Sequence, residues 1–255
     1  MRVAMGVEYD GSSFHGWQMQ DNVETVQGKL EQAIAVVADH PVRVHCAGRT
    51  DAGVHGLGQV IHFDTSARRT MRSWILGTNV NLPMQINVTW AQQVPESFHA
   101  RFSACSRHYR YLILNRMTRS ALWRDRAVWI HRPLDMERMR QASRHLLGTH
   151  DFTSYRALGC QAKSPVRTIA ALGIEREKDR ISIDVEADGF LHHMVRSIAG
   201  VLIAVGEGDR PVDWSREVLR LRDRTLGGVT APPQGLYLVS VGYPQEFELP
   251  ANPCP

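Results

Sequence analysis

Segments with the two-residue period of β-strands alternate along the whole chain with segments that have the period of α-helices. The predicted strands are Met1–Tyr9, Val42–Cys46, Gln59–Phe63, Ile86–Trp90, Arg107–Leu114, Arg167–Glu175, Ile181–Glu186 and Leu236–Val241. The predicted helices run from Thr25 to near Pro41, from Asp135 to Leu147, from Gly189 to Val205 and from Asp213 to Leu221. Because both halves mix strands and helices, the pattern predicts an α+β protein with two sub-domains, residues 1–103 and 104–248, followed by a tail at 249–255.

The composition is that of an ordinary folded protein, with 43% hydrophobic and 22% charged residues in 255. It excludes disordered, collagen-like and low-complexity architectures. The longest nearly apolar stretch, residues 197–206, is much shorter than the roughly 20 residues of a membrane-spanning helix. The N-terminal residues lack a hydrophobic signal region, and the four cysteines form no CxxC pair. We therefore expect a cytoplasmic protein without a structural disulfide.

The basic residues are almost all arginines. Of 30 lysines and arginines only three are lysines, and the formal net charge is +4. Arginine binds phosphate through two parallel hydrogen bonds and stacks on aromatic rings, as an RNA-binding protein requires. A GC-rich genome produces the same bias, so the positions of individual arginines carry more information than their number.

A glycine-rich segment, Gly48–Gly58, lies between two predicted strands and contains four glycines, Arg49 and Asp51. Glycine allows positive φ and close approach of a ligand to the backbone. The segment matches neither a phosphate-binding P-loop nor a dinucleotide fingerprint, so we expect no nucleotide cofactor. Two interpretations remain open: a tight turn in which Asp51 caps backbone amides, or a site that presents its carboxylate.

Two further segments combine basic and aromatic residues. In the strand Arg107–Tyr111, alternation places Arg107, Tyr109 and Tyr111 on one face, which suits either base stacking or a half-buried core. Arg196 lies off the apolar stripe of the predicted helix from Gly189, so that it points either into a cleft or into solvent. The twelve histidines match no metal-binding spacing, and we expect no metal site.

Taken together, these segments resemble the tRNA pseudouridine synthase A family over nearly the whole chain. The motifs that carry the resemblance are Tyr9-Asp10-Gly11 through Phe14-His15-Gly16-Trp17-Gln18, Gly48–His55, Phe98-His99-Ala100-Arg101-Phe102, Tyr109-Arg110-Tyr111, His192–Arg196 and Gly235-Leu236-Tyr237-Leu238. The resemblance implies two RRM-like or ferredoxin-like sub-domains joined through a central, mostly antiparallel sheet. It also implies isomerisation of uridine to pseudouridine at positions 38–40 of the tRNA anticodon stem-loop, by a homodimer without metal or organic cofactor.

The resemblance also implies roles for individual residues. Asp51 resembles the catalytic aspartate, Tyr109 the aromatic residue against the target uracil, and Arg196 the ionic partner of the aspartate. Arg49 resembles the residue that enters the stem when the base leaves, and Leu236 a wall of the uracil pocket. The further candidates for substrate binding are His55 and Arg107.

Two alternatives belong to other functional classes. The first is a non-catalytic protein that binds or folds tRNA through the cleft formed by the candidate site residues. The second is a metal-independent ribonuclease that uses His192 and His193 as acid and base. Shortened RNA would indicate the ribonuclease, whereas isomerisation leaves the mass of the RNA unchanged.

Overall fold

The structure is a computed structural model that describes residues 1–250, and over this range the chain forms ten β-strands and five α-helices. The strands are β1 (Arg2–Tyr9), β2 (His45–Cys46), β3 (His55–Asp64), β4 (Ile86–Val94), β5 (Ser106–Asn115), β6 (Val128–Ile130), β7 (Gly148–Asp151), β8 (Val166–Glu177), β9 (Arg180–Ala187) and β10 (Leu236–Gly242). The helices are α1 (Val26–Ala38), α2 (Met71–Asn81), α3 (Met136–Arg144), α4 (Met194–Gly206) and α5 (Trp214–Leu221). The predicted mixed class with mostly antiparallel strands is confirmed. No helix within residues 1–250 has the length and apolar character needed to cross a membrane.

The chain divides into two compact units. Unit 1 contains Met1–Cys105 and residues 237–250, and unit 2 contains Ser106–Leu236. The sequence had placed residues 104–248 in one sub-domain. The difference arises because β10 pairs in parallel with β3, with Tyr237 opposite His55. Most of the predicted tail, residues 251–255 with Cys254, lies outside the described residues.

In unit 1 the strands follow the order β4–β1–β3–β10, and β2 pairs with β3. The predicted apolar face of β1 is confirmed, since Val3, Met5 and Val7 share a buried core with Leu30 of α1 and Trp74 of α2. A second buried cluster lies on the other face of the sheet. It includes Ala4, which alternates with Val3 and Met5 along β1, and Phe247 of the C-terminal segment. Its members are Ala4, Ala47, Val60, Trp90, Val94, Phe98, Ala100 and Phe247. The sheet of unit 1 is therefore buried on both faces, which its sequence alternation did not predict.

In unit 2 the strands follow the order β5–β9–β8–β7, and β6 pairs in parallel with β5. Strand β9 shows the predicted alternation: Ile181, Ile183, Val185 and Ala187 are fully buried, and the residues between them are not. Helices α3, α4 and α5 pack against one another, α3 also contacts β8, and α4 contacts β5. This packing sets the start of α4 beside the strand that carries Tyr109.

Some local predictions were wrong in extent, and helix α2 was missed. Helix α4 begins at Met194 and not at Gly189, because His193 takes a positive φ of 63° and the amide of Met194 donates to the carbonyl of Leu191. The strand predicted at Val42–Cys46 is reduced to its last two residues. Helix α2 was missed because only Trp74 and Thr78 are buried along it, too few to produce a clear helical period.

A turn at residues 98–103 of unit 1 is held by two histidine rings. The Nδ1 atom of His62 accepts the amide of Ala100 at 3.1 Å. The Nδ1 atom of His99 accepts the amides of Arg101 at 3.1 Å and Phe102 at 3.3 Å. A neutral imidazole with an accepting Nδ1 carries its proton on Nε2, so protonation would remove each of these acceptors. The turn therefore requires both rings to be neutral.

Acid is expected to destabilise unit 1 through His62. Burial, together with the charges of His99 and Arg2, lowers the pKa of His62 from 6.5 to about 3. The unfolded chain therefore binds a proton near pH 6.5 that the folded chain resists, and stability falls as the pH drops from about 6.5 towards 3. At about 1.4 kcal/mol per pH unit, the free energy of unfolding should fall by roughly 2 kcal/mol between pH 6.5 and 4.5 from this group alone.

Urea denaturation at several pH values measures this effect. Asn at position 62 can offer its amide oxygen as the acceptor but cannot be protonated. The variant His62→Asn should therefore lose less stability on acidification than the unmodified chain, whereas His131→Asn, at an exposed histidine, should follow the unmodified chain. Parallel pH curves for His62→Asn and the unmodified chain would contradict the prediction.

Candidate active site

Asp51 lies in a tight turn of unit 1. The amide of Val54 donates to the carbonyl of Asp51 at 3.2 Å, and Gly53 takes a positive φ of 77°. Strand β3 begins directly afterwards at His55. Asp51 is half-buried and Arg49 is exposed. The glycine-rich segment therefore forms a turn that holds Asp51 between a buried residue, Thr50, and the start of a strand.

Thr50, the residue before Asp51, is fixed by two contacts from the first motif of the chain. Its Oγ1 lies 2.8 Å from the buried hydroxyl of Tyr9, and its carbonyl accepts the amide of Trp17 at 2.9 Å. Tyr9 and Trp17 also contact each other, with ring centroids 5.8 Å apart. The chain position of Asp51 is therefore set by residues about 35 to 40 positions earlier in the sequence.

Two glycines allow the first motif to press against the turn that holds Asp51. A Cβ atom at Gly11 would overlap the carbonyl oxygen of Val54. Gly16 takes a positive φ of 87°, and a Cβ atom there would lie 2.9 Å from the carbonyl oxygen of Thr50. The backbone of residues 9–17 therefore lies in direct contact with the turn, at a distance that only glycine permits.

Gln59 braces the other end of the same turn. Its Oε1 accepts the amides of Ala47 at 3.2 Å and Gly48 at 3.4 Å, and its Nε2 donates to the carbonyl of Gly48 at 2.6 Å. Gln59 is fully buried. Gln59 was not among the residues predicted for the site, although a glutamine within an apolar strand was the signal that could have identified it.

His55 is 2% exposed and contacts the fold on two sides. Its Nδ1 accepts the amide of Gly11 at 3.2 Å, and its ring stacks on that of Tyr237 with centroids 4.6 Å apart. These contacts link the first motif, the start of β3 and the start of β10. The contacts observed for His55 are thus structural, and its predicted contact with substrate stays a prediction.

Unit 2 places the second group of predicted residues on β5 and α4. Tyr109 is 8% exposed, and its ring meets that of Phe190 edge-on with centroids 5.1 Å apart. The guanidinium of Arg107 donates to the carbonyl of Asp188 at 2.9 Å. Tyr111 is fully buried, and its hydroxyl donates to the carbonyl of Pro232 at 2.8 Å. The face predicted to carry these three residues is therefore mostly buried.

The opposite face of β5 carries an ion-pair cluster. His108 Nε2 lies 2.8 Å and Arg110 Nε 2.9 Å from the same carboxylate oxygen of Asp184 on β9. Although burial acts to raise the pKa of Asp184, the hydrogen bonds and charges of His108 and Arg110 hold that pKa below its usual range. These two basic residues are engaged with the neighbouring strand, and they confirm the predicted alternation of β5.

Arg196 lies in the first turn of α4 and is half-buried. Its Nε donates to the carbonyl of Ala231 at 2.8 Å, and its own carbonyl accepts the amide of Ala231 at 3.0 Å. Burial raises the pKa of Tyr111, and the positive charge of Arg196 opposes that rise. Arg196 is therefore close enough to Tyr111 to act on it electrostatically, and its backbone and side chain are both anchored to Ala231.

Leu236 is 6% exposed at the start of β10. It follows Gly235, where a Cβ atom would lie 2.6 Å from the carbonyl oxygen of Leu112 on β5 and 3.2 Å from the ring of Tyr111. The backbone before Leu236 therefore packs tightly on β5. Within unit 1, Arg49, Asp51 and His55 lie in or directly after the same turn, and within unit 2, Arg107 and Tyr109 lie on β5, Arg196 on a helix that contacts β5, and Leu236 after a segment that packs on β5.

Both units match a known family of RNA-modifying isomerases. A family model described as tRNA pseudouridine synthase matches residues 5–103 and 142–244, and the chain belongs to this family. Its relatives include tRNA pseudouridine synthase A of Nitrosococcus oceani, 56% identical over 98% of this chain and 96% of that protein. The proteins of the same name from Pseudomonas aeruginosa and Coxiella burnetii are 56% and 52% identical, over 98% and 99% of this chain and 88% and 97% of their own lengths. The resemblance drawn from the sequence motifs is confirmed.

Proposed function

We propose that this chain converts uridine to pseudouridine at positions 38–40 of the tRNA anticodon stem-loop, with Asp51 as the catalytic aspartate. The proposal is carried by one observation: a family match over most of the chain includes an aspartate whose turn is braced from both ends by buried contacts. Bracing of this kind is expected where a reactive group must keep one direction.

The reaction breaks the bond between C1′ of the ribose and N1 of uracil, turns the base, and forms a bond between C1′ and C5. The bond from C1′ moves from N1 to C5, C5 releases its proton to water and N1 takes one up, so the chemistry requires no redox or group-transfer cofactor. A carboxylate can attack C1′ or C6, or stabilise positive charge on the sugar, and each use requires its ionised form. Asp51 supplies this carboxylate, and Arg196 is its proposed ionic partner.

The target uridine must leave the stem before it can react. Extrusion from the stack costs a few kcal/mol, whereas stacking on one aromatic ring returns about 1 to 3 kcal/mol. In the proposal, the ring of Tyr109 receives the uracil, Leu236 forms a wall of its pocket, and the exposed Arg49 fills the vacated position in the stem. Arg107 and His55 are further proposed contacts, and phosphate contacts from arginines make up the difference.

Two further parts belong to the proposal. The first, implied by the family resemblance, is a homodimer in which the paired subunits together hold one tRNA. The second is a cytoplasmic location, where tRNA is available. Sedimentation of the chain with and without tRNA tests the first part directly.

Tritium release tests the proposed function. An anticodon arm with tritium at C5 of the uridines at positions 38–40 should lose its label to water, because C5 exchanges its hydrogen for the bond to C1′. The RNA should keep its length and mass. An arm that carries tritiated uridine only outside these positions is the control and should keep its label.

Each alternative has a different outcome. Binding of the arm without tritium release would support the non-catalytic tRNA-binding protein. Shortened RNA on a denaturing gel would support the ribonuclease that uses His192 and His193. Release from the control arm at the same rate would contradict the proposed positions but not the isomerisation itself.

A further inference from the structure

The turn at residues 98–103 of unit 1 has a buried base. Phe98 is fully buried, with ring centroids 5.2 Å from Tyr243 and 5.1 Å from Phe247. Ala100 is also fully buried, and its carbonyl accepts the hydroxyl of Tyr243 at 2.6 Å. The segment is thus fixed to the core at two alternate residues.

The tip of the turn is also fixed by hydrogen bonds. In addition to the histidine contacts given above, the amide of His99 donates to Ser103 Oγ at 2.9 Å, and the amide of Ser103 donates to the carbonyl of His99 at 2.9 Å. Together with the three amides accepted by His62 and His99, this makes a closed hydrogen-bond network around Arg101 and Phe102.

This rigid network presents an aromatic ring and a cation to solvent. The side chain of Phe102 is 74% exposed, and Arg101 is exposed beside it with its guanidinium carbon 5.5 Å from the ring centroid. One side of Phe102 contacts the ring of His99 at 4.4 Å between centroids. An exposed phenylalanine adds little to the core, and its ring remains accessible to a partner.

The turn also contacts β2, the short strand that precedes Arg49 in the chain. His45 on β2 contacts His99, with ring centroids 5.5 Å apart. The neighbouring residue of β2, Cys46, is half-buried. Its partial burial raises the pKa of its thiol to about 12, and the positive charges of Arg49 and then Arg101 oppose that rise. Both guanidiniums therefore lie close enough to β2 to act electrostatically on Cys46.

We propose that Arg101 and Phe102 form a second RNA contact in unit 1, in which Arg101 binds a backbone phosphate and the ring of Phe102 stacks on a nucleobase. His62 and His99 are positioning residues that hold this pair in place. The inference rests on the proposed function, which supplies the RNA. Arginine beside an exposed aromatic ring offers both interactions by which proteins bind unpaired RNA, and residues 98–103 contain no acidic residue to repel a phosphate.

Binding of the anticodon arm to single variants tests the contact. Phe102→Ala should raise the Kd by between about fivefold and a hundredfold, since stacking on one base accounts for an affinity change of this size. Arg101→Ala should reduce the slope of log Kd against log salt concentration by about 1, the change expected when one phosphate contact is lost. The controls Met84→Ala and Arg72→Ala, at exposed residues of the same unit, should leave the Kd unchanged.

The positioning role is tested by two substitutions of His99. Asn can place its amide oxygen where Nδ1 accepts hydrogen bonds, whereas Leu offers no acceptor. His99→Leu should weaken binding as much as Phe102→Ala, and His99→Asn should recover most of that loss. Urea denaturation shows whether each variant is folded, and for a variant that does not fold the substitutions of Arg101 and Phe102 at the exposed tip carry the test.

The outcomes separate this inference from the proposed function. Full tritium release by the unmodified chain, with unchanged Kd in Arg101→Ala and Phe102→Ala, would overturn the contact and leave the isomerase intact. Weaker RNA binding in these variants, with no tritium release by the unmodified chain, would support the contact and contradict the catalytic role of Asp51. A change of oligomeric state in Phe102→Ala at unchanged RNA affinity would show that the ring binds a second copy of the chain, and would also overturn the inference.

Discussion

The variant Asp51→Asn is expected to release no measurable tritium from the anticodon arm, a loss of at least about 10⁴-fold in rate. The amide keeps the shape of the side chain and its place in the turn, but it neither attacks carbon readily nor carries the charge that stabilises a cationic sugar. Losses of this size are typical when a group that forms or supports a covalent intermediate is removed.

Affinity for RNA should change little in Asp51→Asn, because the removed charge is negative and does not bind phosphate. Asp39→Asn is the matched control. It makes the same chemical change at an exposed residue after α1, in a left-handed conformation that asparagine tolerates, and should keep full activity. Tritium release by Asp51→Asn at the rate of the unmodified chain would contradict the assignment of the catalytic residue.

The second large effect is expected for Gly11→Ala. A methyl group at this position overlaps the carbonyl oxygen of Val54, which is part of the backbone and cannot rotate away. The turn that holds Asp51 must move, and a shift of about 1 Å in a reacting group costs on the order of 100-fold in rate. The overlap should also lower the free energy of unfolding by about 1 to 3 kcal/mol.

Gly173→Ala is the control for this substitution. Gly173 lies in β8, where a Cβ atom would meet no atom within 4 Å, so this variant should keep its activity and its stability. Circular dichroism and urea denaturation of Gly11→Ala separate a displaced turn from an unfolded chain. Normal activity in a folded Gly11→Ala protein would show that the first motif does not position Asp51.

The regular elements with strong periodicity could be predicted from the sequence. Strands β1, β5, β8, β9 and β10 lie within one or two residues of their predicted bounds, and helix α1, with its Thr25 cap, ends three residues before Pro41, near which it was expected to stop. Each of these elements has a buried face whose residues recur at the period of the element. The prediction was poorer where burial is sparse, as in α2, or where a single backbone conformation decides, as with the positive φ of His193 before α4.

For the site, the sequence motifs identified the family and selected the residues, and the family match confirms the resemblance. They did not show that the first motif and Gln59 brace the turn that holds Asp51. Those contacts join residues separated by about 10 to 40 positions, and a pattern that extends over one element contains no information about them.

What the sequence by itself determined is therefore the position of the strongly periodic strands and helices, the class of chemistry and the residues proposed to perform it, because local periodicity and residue type act within a few positions. Only the tertiary structure decided which residues hold that chemistry in place. Gly11 leaves room for the carbonyl oxygen of Val54, and the hydroxyl of Tyr9 contacts that of Thr50. The exposed Phe102 lies on a turn that two histidine rings hold in place. Such contacts depend on distances in the folded chain, and chain folding alone brings those atoms together.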